Sequence, residues 1–583
     1  VARRAATLVL GIVMTAVITA SATAQTAVQE VTARRSLDRA TAPQPSPEAR
    51  VRFTSQRAPA NADQIRFTLN GVTLVGATAF DADALSALYA QDIGREITLT
   101  QVFGVAAALQ DAYRAEDMIF TRVIVPAQEI IDGVVRLEVI EARIDDIVLE
   151  EPEGPVGPVR ALVRRMAAAL IGVDNPTGAQ IERAILNINE LPGVTRATIV
   201  PQPTGGASRG GLTLYLNIER DPFEAVLYAD NRQTPAIGRN VAGATVTLKS
   251  YSAAADTTSL SIFNSFDVFS DRVPETGAVD GPGDFDERTT LYAQHQRAVG
   301  TDGATVAVKG LYSRTRLGDD LASVGVTGDQ VFASAELSYP IIRSRSREVG
   351  VSAQFDYLDS ETDISNGRLR ISDDRIRAAA VSLSGLQRDA RGYTSFNATV
   401  RQGLDILDAT QSDDLERSRF DGEAVFTLIR GEAERQVALD GAFDIFARVG
   451  AQYAFDPLLA AEEFAIGGLS YGRGFDPSEF TGEHGVGASA ELRRNWRLDL
   501  MGVQLSLQGY GFADYGVIWN VKDGEPKRED LFSAGGGVRF YLPQDAFVEA
   551  EIAVPIDQPL TRVNSDGEQI SGARFFLTLS KRF

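Results

Sequence analysis

Side chains able to make or break bonds are scarce in this chain of 583 residues. It has no cysteine, which removes thiol nucleophiles, thiolate metal sites and disulfide frameworks together. Two histidines, His295 and His484, cannot build a His-rich catalytic metal centre. Neither lies near a G-x-S-x-G elbow or another catalytic spacing, and His484, in Thr481-Gly-Glu-His-Gly485, reads as a loop residue. None of the five lysines follows a glycine, so the chain lacks the G-K-[ST] loop that cradles nucleotide phosphates. The expectation is a protein that is not an enzyme, with no catalytic residue, no cofactor and no metal.

Charge narrows the partners. The chain carries 57 basic against 78 acidic side chains, a net charge of −21. Nucleic-acid affinity rests on surplus Lys and Arg, so no nucleic acid is expected. With 44% apolar and 23% charged residues, the composition is that of a folded chain. At its start, Arg3 and Arg4 precede an uncharged, mostly apolar run over residues 5–20, and Ala22-Thr-Ala24 follows. That order is the pattern of a cleaved signal peptide over 1–24, which would send the rest into or beyond the periplasm. No other uninterrupted apolar stretch reaches the ~18 residues a membrane helix needs.

Three regions follow. Residues 25–63 are rich in Ala, Pro and Arg and read as a tail, with a short helix over 27–40 and a linker. Residues 64–141 read as β-α-α-β-β. Strands are expected at 65–75, 119–125 and 134–140, with helices at 81–91 and from about residue 100. In the second helix Val102, Val105, Leu109 and Tyr113 share one face. The order repeats over 142–222, with strands at 144–149, 194–200 and 212–218 and helices at 159–171 and 180–191. Ile181, Ile185 and Ile188 lie in line on the last helix.

From residue 223 to 583 helical periodicity gives way to alternation. Val331, Ala333, Ala335, Leu337 and Tyr339 are apolar, against the intervening Phe332, Ser334, Glu336 and Ser338. Ten-residue segments of this kind are the signature of a transmembrane β-barrel, and at ~22 residues per strand and connection they allow about sixteen strands. The expected fold is therefore mainly β, with an antiparallel barrel after two small α+β modules. The chain ends on Phe575, Leu577, Leu579 and Phe583 at alternating places, the form of a C-terminal assembly signal of outer-membrane barrels. Lys581 interrupts that apolar phase, and as a rim charge it can snorkel to the headgroups.

Two segments stand apart from the alternation: Phe464-Ala-Ile-Gly-Gly-Leu-Ser-Tyr-Gly-Arg-Gly-Phe-Asp-Pro477 and Phe512-Ala-Asp-Tyr-Gly516. They resemble the Omp85 superfamily, in which Gly-Gly followed by Arg-Gly-Phe forms the tip of a loop folded back into the barrel. The resemblance implies that Gly467, Gly468, Arg473, Gly474 and Phe475 form this tip, and that Arg473 pairs with Asp514 in the wall motif of Phe512, Asp514 and Gly516. A guanidinium inside a barrel calls for a bidentate carboxylate, and flanking glycines let the loop backbone approach the wall. Gly472 stands where the family usually has Val or Leu, which should loosen the tip packing.

Tyr113-Arg-Ala-Glu-Asp-Met-Ile119, Val123-Ile-Val-Pro-Ala-Gln128 and Asp132-Gly-Val-Val-Arg-Leu-Glu-Val-Ile-Glu141 resemble the first POTRA domain of two-partner secretion transporters, the haemolysin and filamentous-haemagglutinin exporter group. Asp117-Met118 replaces the usual Gly-Tyr, and Ala142 the usual glycine after the final Glu. The resemblance implies a Gram-negative outer-membrane transporter with periplasmic POTRA domains at 64–141 and 142–222, and a plug at 27–40. Its cargo would be a large, β-rich secreted protein; its other partners would be the barrel-assembly machinery and outer-membrane lipid. An Omp85-type insertase for other barrels is the alternative. The acidity sits mainly in the barrel: residues 25–222 carry 19 basic and 25 acidic groups, residues 223–583 carry 36 and 53.

Overall fold

The computed structural model describes residues 56–150, 159–189, 191–204, 210–253, 255–266, 287–300, 302–318, 324–344, 346–439, 442–500, 503–521, 526–557 and 572–583. The signal peptide expected over 1–24 and the helix expected over 27–40 lie outside them. The described residues form two compact units, one holding the helices and one the barrel.

The helical unit starts with β1 (Arg66–Thr68) and β2 (Gly71–Val75), then α1 (Ala82–Ser86), β3 (Glu96–Thr98), α2 (Leu99–Ala115), β4 (Arg122–Ile124) and β5 (Val134–Ile140). The single strand expected over 65–75 is split. β1 pairs with β3, whereas β2 runs parallel to β5, because Asn70 ties its N–H to the Gly133 carbonyl at 2.8 Å and its amide to the Asp132 carbonyl at 2.9 Å. The helix expected over 81–91 stops at Ser86: Leu85 is anchored in the core, Leu88 is exposed, and Asp81 makes no side-chain cap. α2 is better fastened. Thr98 and Gln101 form a reciprocal capping box, and Val102, Val105, Ala106, Leu109 and Tyr113 are buried against β5 and its neighbours. Val102, Val105 and Leu109 each contribute roughly 1.5–3 kcal/mol by leaving water.

The second set of elements is β6 (Arg143–Glu150), α3 (Val159–Ala168), α4 (Gly178–Asn189), β7 (Val194–Pro203) and β8 (Gly211–Arg220), with sheet order β6-β8-β7. α4 begins two residues before its expected start because Thr177 and Gln180 repeat the Thr-x-x-Gln box of α2. Ile181, Ile185 and Ile188 are all buried.

Two carboxylates fasten one set to the other. Glu141 accepts hydrogen bonds from the Thr78 N–H at 2.7 Å, the Ala79 N–H at 2.9 Å, the Tyr113 hydroxyl at 2.8 Å and the Asn175 amide at 3.0 Å. Burial alone would raise its pKa, but the bonds from Asn175, Thr78 and Ala79 win and hold it down at about 2. Asp117 sits at φ +62°, the left-handed conformation that glycine adopts without cost, and its carboxylate accepts the Ala179 N–H at 2.7 Å. Here an aspartate trades backbone comfort for capping a helix of the neighbouring module.

The other unit is a closed antiparallel barrel of sixteen strands among the described residues. It runs from β9 (Phe223–Asp230) through β10 to β19, between residues 240 and 454, and on to β26 (Arg574–Arg582). Its phase is visible in β14 (Thr327–Arg343). Val331, Ala333, Ala335, Leu337 and Tyr339 face outward, while Gln330 and Ser334 are buried inside and Glu336 pairs with Lys309. Pro340 falls where the register against the next strand slips, so its missing N–H costs no ladder bond. Phe575, Leu577, Leu579 and Phe583 are exposed. The Lys581 ammonium donates to the Gln544 carbonyl rather than being left for headgroups. Among the described residues no helix is long and apolar enough to cross a membrane.

The Glu141 clamp has a pH signature. A carboxylate with a depressed folded-state pKa stabilises fully above its ordinary value of 4.5 and loses that effect as pH falls through about 2. Protection of the Thr78 and Ala79 amides in the full-length protein, taken as the ratio of intrinsic to observed exchange rate, should therefore fall between about pH 4.5 and 2. Glu141→Gln should lower this protection already at neutral pH, by the roughly 1–3 kcal/mol that bonds to a charged acceptor are worth, and leave it flat across this range. Equal exchange in wild type and variant would remove the clamp.

Candidate functional site

Between β19 (Phe443–Ala454) and β22 (His484–Leu500) the chain leaves the wall and forms a small hairpin, β20 (Phe464–Ile466) with β21 (Phe480–Gly482). The tip of that hairpin lies against β22, β23 (Val503–Trp519), β24 (Arg528–Leu542) and β25 (Ala546–Asp557) from the inside. Phe464, Ile466, Tyr471 and Phe475 join Ile518 and Leu531 in one apolar cluster. The wall makes room by lacking side chains. A methyl on Gly487 would lie 2.3 Å from the Tyr471 ring, and one on Gly516 2.8 Å from Ile466. This is what the glycine of the Phe-x-Asp-x-Gly motif is for.

Arg473 is the charged end of the tip, with 3% of its side chain exposed. Its guanidinium grips Asp514 with two bonds, Nε to Oδ2 at 2.9 Å and Nη2 to Oδ1 at 2.8 Å, and its own backbone N–H adds a third to Oδ2 at 3.0 Å. The remaining donors reach Glu491 at 2.7 Å, Ser489 at 3.1 Å and Glu551 at 3.3 Å. The guanidinium also lies flat on Phe512, 3.5 Å from the ring centroid. Phe512 can take that position because Gly535 stands behind it, where a Cβ would come within 2.6 Å of the ring. Asp514 is fully buried and is further fixed by the Ser489 hydroxyl at 2.7 Å.

Around the pair lies a set of charges that the motif alone did not indicate. Arg539 bonds Glu549 at 2.7 Å and Glu491 at 3.0 Å, Arg493 bonds Glu491 at 2.7 Å, and Arg232 bonds Glu551 at 2.8 Å and Glu549 at 3.2 Å. Four guanidiniums thus face Asp514, Glu491, Glu549 and Glu551. Tyr510 donates within the same set, 2.7 Å from both Glu549 and Glu551. The base of the loop has its own anchors, with Arg401 on Glu462 at 2.8 Å and Arg419 on Glu463 at 2.9 Å. Removing one partner from such a buried set costs roughly 3–5 kcal/mol, because the other charge stays behind unpaired.

The other candidate positions divide. Gly467 and Gly468 turn the tip at φ +103° and +73°, and the Gly468 N–H donates to the Phe475 carbonyl at 3.3 Å. Gly474 sits against Ser533 and Pro555 with no room for a Cβ. Gly472, expected to loosen the tip, does the reverse. It lies at φ +132°, and a Cβ there would meet Leu531 at 2.5 Å. His484 is stacked on Tyr453 with centroids 4.4 Å apart, and its Nδ1 accepts the Ala454 N–H at 3.2 Å. His295 shares its Nδ1 with Thr258 at 2.9 Å. Among the described residues no group of three or more His, Asp or Glu is arranged to hold a metal ion.

Restoring the usual side chain by Gly472→Val should therefore destabilise the tip by at least the roughly 1–3 kcal/mol of a strained backbone. Limited proteolysis of the folded barrel would read this as faster cleavage in the loop, and unchanged cleavage would contradict it.

Residues 213–540 match the family described as haemolysin secretion/activation protein ShlB/FhaC/HecB, and residues 67–142 match the POTRA domain, ShlB-type. The heme/hemopexin transporter protein HuxB of Haemophilus influenzae strain 86-028NP is 21% identical over 522 residues, covering 86% of this chain and 84% of its own. The outer membrane transporter CdiB of Dickeya dadantii strain 3937 is 21% identical over 499 residues, covering 84% and 83%. Among solved structures, CdiB from Escherichia coli superposes with a TM-score of 0.68 at 18% identity, over 97% of this chain and 98% of that one. BamA from Haemophilus ducreyi lacking POTRA domains 1–3 gives 0.52 at 13% identity, over 89% and 100%. Both share the fold. The family match spans more than half of the chain and takes in most of the barrel together with the loop tip and the wall strands β22 and β23. This protein therefore belongs to the haemolysin secretion/activation family, the outer-membrane transporters of two-partner secretion, whose POTRA domains lie in the periplasm.

Proposed function

We propose that this transporter takes one large, β-rich protein, or a few related ones, from the periplasm and passes it through the barrel to the cell surface. The two modules at 64–141 and 142–222 capture the cargo by offering sheet edges with main-chain hydrogen bonds to spare. Residues 27–40 act as a plug of the resting pore. The barrel-assembly machinery inserts the protein through the Phe575, Leu577, Leu579 and Phe583 strand, and outer-membrane lipid surrounds it. No bond is made or broken in the cargo. Without a phosphate loop, the drive is cargo folding outside, since each folded segment cannot slide back.

The observation that carries this reading is the loop tip held inside the barrel by Arg473 on Asp514, with bonds at 2.8 and 2.9 Å. A tip fixed by one buried fork has two places to be, seated or withdrawn, and a channel for a polypeptide needs such a part. Arg473 and Asp514 are in this view conformational residues, and the Gly-Gly turn and Gly474 let the tip reach the wall. The relatives named as transporters favour export over insertion of other barrels, to which a likeness of fold alone speaks.

Arg473→Ala should leave barrel insertion intact and lower secretion of the partner, because Asp514 is left buried without its cation at a cost of roughly 3–5 kcal/mol. Heat-modifiable migration of the barrel and immunoblots of the medium read the two quantities separately. Secretion at the wild-type level would refute the role given to Arg473, and loss of many unrelated barrels on depletion of the transporter would favour the insertase reading.

A further inference from the structure

The barrel closes where β26 meets β9, and this ladder is short. It has five paired positions, from Thr578 opposite Asp230 to Arg582 opposite Val226, against eight on each flank of the seam. Beyond Thr578 the backbone of β26 continues for four residues without a β9 partner in the ladder. Side chains take over at that point. Asn231 donates its amide to the Phe575 carbonyl at 3.0 Å and accepts the Leu577 N–H at 2.8 Å, so one side chain replaces two backbone bonds. Arg232, with 9% of its side chain exposed, touches Thr578 at 3.3 Å, lies over the Phe576 ring at 4.7 Å and reaches past β26 to Glu549 and Glu551 on β25.

Glu551 is therefore common property. It receives Arg232 from the seam at 2.8 Å, Arg473 from the loop tip at 3.3 Å, and the Tyr510 hydroxyl at 2.7 Å. A buried carboxylate with two cations is compensated by both, and removing either changes what the other is worth. Arg232 follows the first barrel strand, Arg473 lies on the hairpin between β19 and β22, and the two touch no common residue in the seam itself.

We infer that Glu551 and Arg232 couple the loop tip to the closing seam, so that a seated tip holds β9 and β26 together and a withdrawn tip weakens their pairing. Arg232 and Glu551 are then positioning residues for transport in addition to the Arg473 and Asp514 pair. The inference rests on the reading of Arg473 as the anchor of a movable tip. Arg473 makes no bond to β9 or β26 of its own; besides Glu551, the tip reaches β26 through Asp476, which accepts the Arg574 guanidinium at 2.7 Å.

Hydrogen exchange of the β26 amides in the full-length, membrane-extracted protein reads seam opening directly. Arg232→Gln should raise exchange at residues 575–578 by roughly tenfold or more, Arg473→Ala should raise it in the same residues, and the double variant should show less than the product of the two effects. Glu551→Gln, which keeps the shape of the side chain, should itself raise exchange at these residues and shrink the further effect of Arg473→Ala, and it serves if Arg232→Gln does not insert. Arg401→Gln removes a cation from the separate anchor at the loop base and should leave these amides at the wild-type rate. Three results would overturn the coupling: wild-type exchange in Arg473→Ala with secretion reduced, independent effects that multiply in the double variant, or an equal rise in Arg401→Gln. In the first case the role of Arg473 in export survives and the coupling does not, whereas wild-type secretion in Arg473→Ala would sink the functional reading itself.

Discussion

A guanidinium taken out of water must be met by fixed acceptors, and at Arg473 this requirement organises a large part of the barrel. Asp514 alone supplies three acceptor contacts, counting the one to the Arg473 backbone, and Glu491, Ser489 and Glu551 take the remaining donors. Phe512 closes the flat face of the ion. None of these groups could converge on a tip standing away from the wall. The close approach is bought with glycine, at Gly487 and Gly516 under the tip and at Gly535 behind Phe512. The apolar residues of the tip then fill the space that the missing side chains leave, so the ion pair and its packing depend on each other.

Electrostatics of the whole barrel follow a similar division. Residues 223–583 hold 36 basic against 53 acidic groups, yet around Arg473 the charges are matched, four cations to four carboxylates. The set around Arg473 is thus nearly balanced within an acidic protein, with Asp230 adding a further carboxylate beside Arg232. A balanced set of this kind is sensitive to the loss of any member, as its neighbours are too buried for water to compensate. In the helical unit side chains act on a smaller scale: Glu141 ties Thr78 and Ala79 of its own module to Asn175 of the next, and the Asp117 carboxylate caps Ala179 beside a direct backbone bond from the Gly178 N–H.

The strong periodicities were readable from the sequence, and the long-range register was not. Period-two alternation over 223–583 gives away the barrel because inward positions are mostly polar and outward ones mostly apolar, as β14 shows apart from its inward Phe332. α2 and α4 were visible through buried residues in line, yet their starts depended on Thr98 with Gln101 and Thr177 with Gln180, a repeated box that the helical pattern does not display. The strand break at Asn70 could not be foreseen, since it comes from bonds to a turn more than sixty residues away. At the site, Arg473 and Asp514 had a motif to announce them. Glu491, Glu549, Glu551, Arg539 and Arg232 had none. Those on strands share the inward phase, whereas Arg232 follows the end of β9, and which of the many inward acids meets the tip depends on how β22 to β25 align, for instance Ser489 opposite Asp514. Gly472 was misjudged for a related reason: its residue type suggested looseness, whereas its φ of +132° and the nearness of Leu531 make it a constraint.

The central claim is that the planar fork of Arg473, and not merely its positive charge, keeps the tip in a transport-competent position. Secretion of the partner by Arg473→Lys, at matched levels of inserted barrel, tests it most directly. A lysine ammonium keeps the charge but cannot bond both oxygens of Asp514 in parallel while lying flat on Phe512. The account predicts secretion clearly below wild type, with the barrel fully inserted. Secretion at the wild-type level from the lysine variant would contradict it.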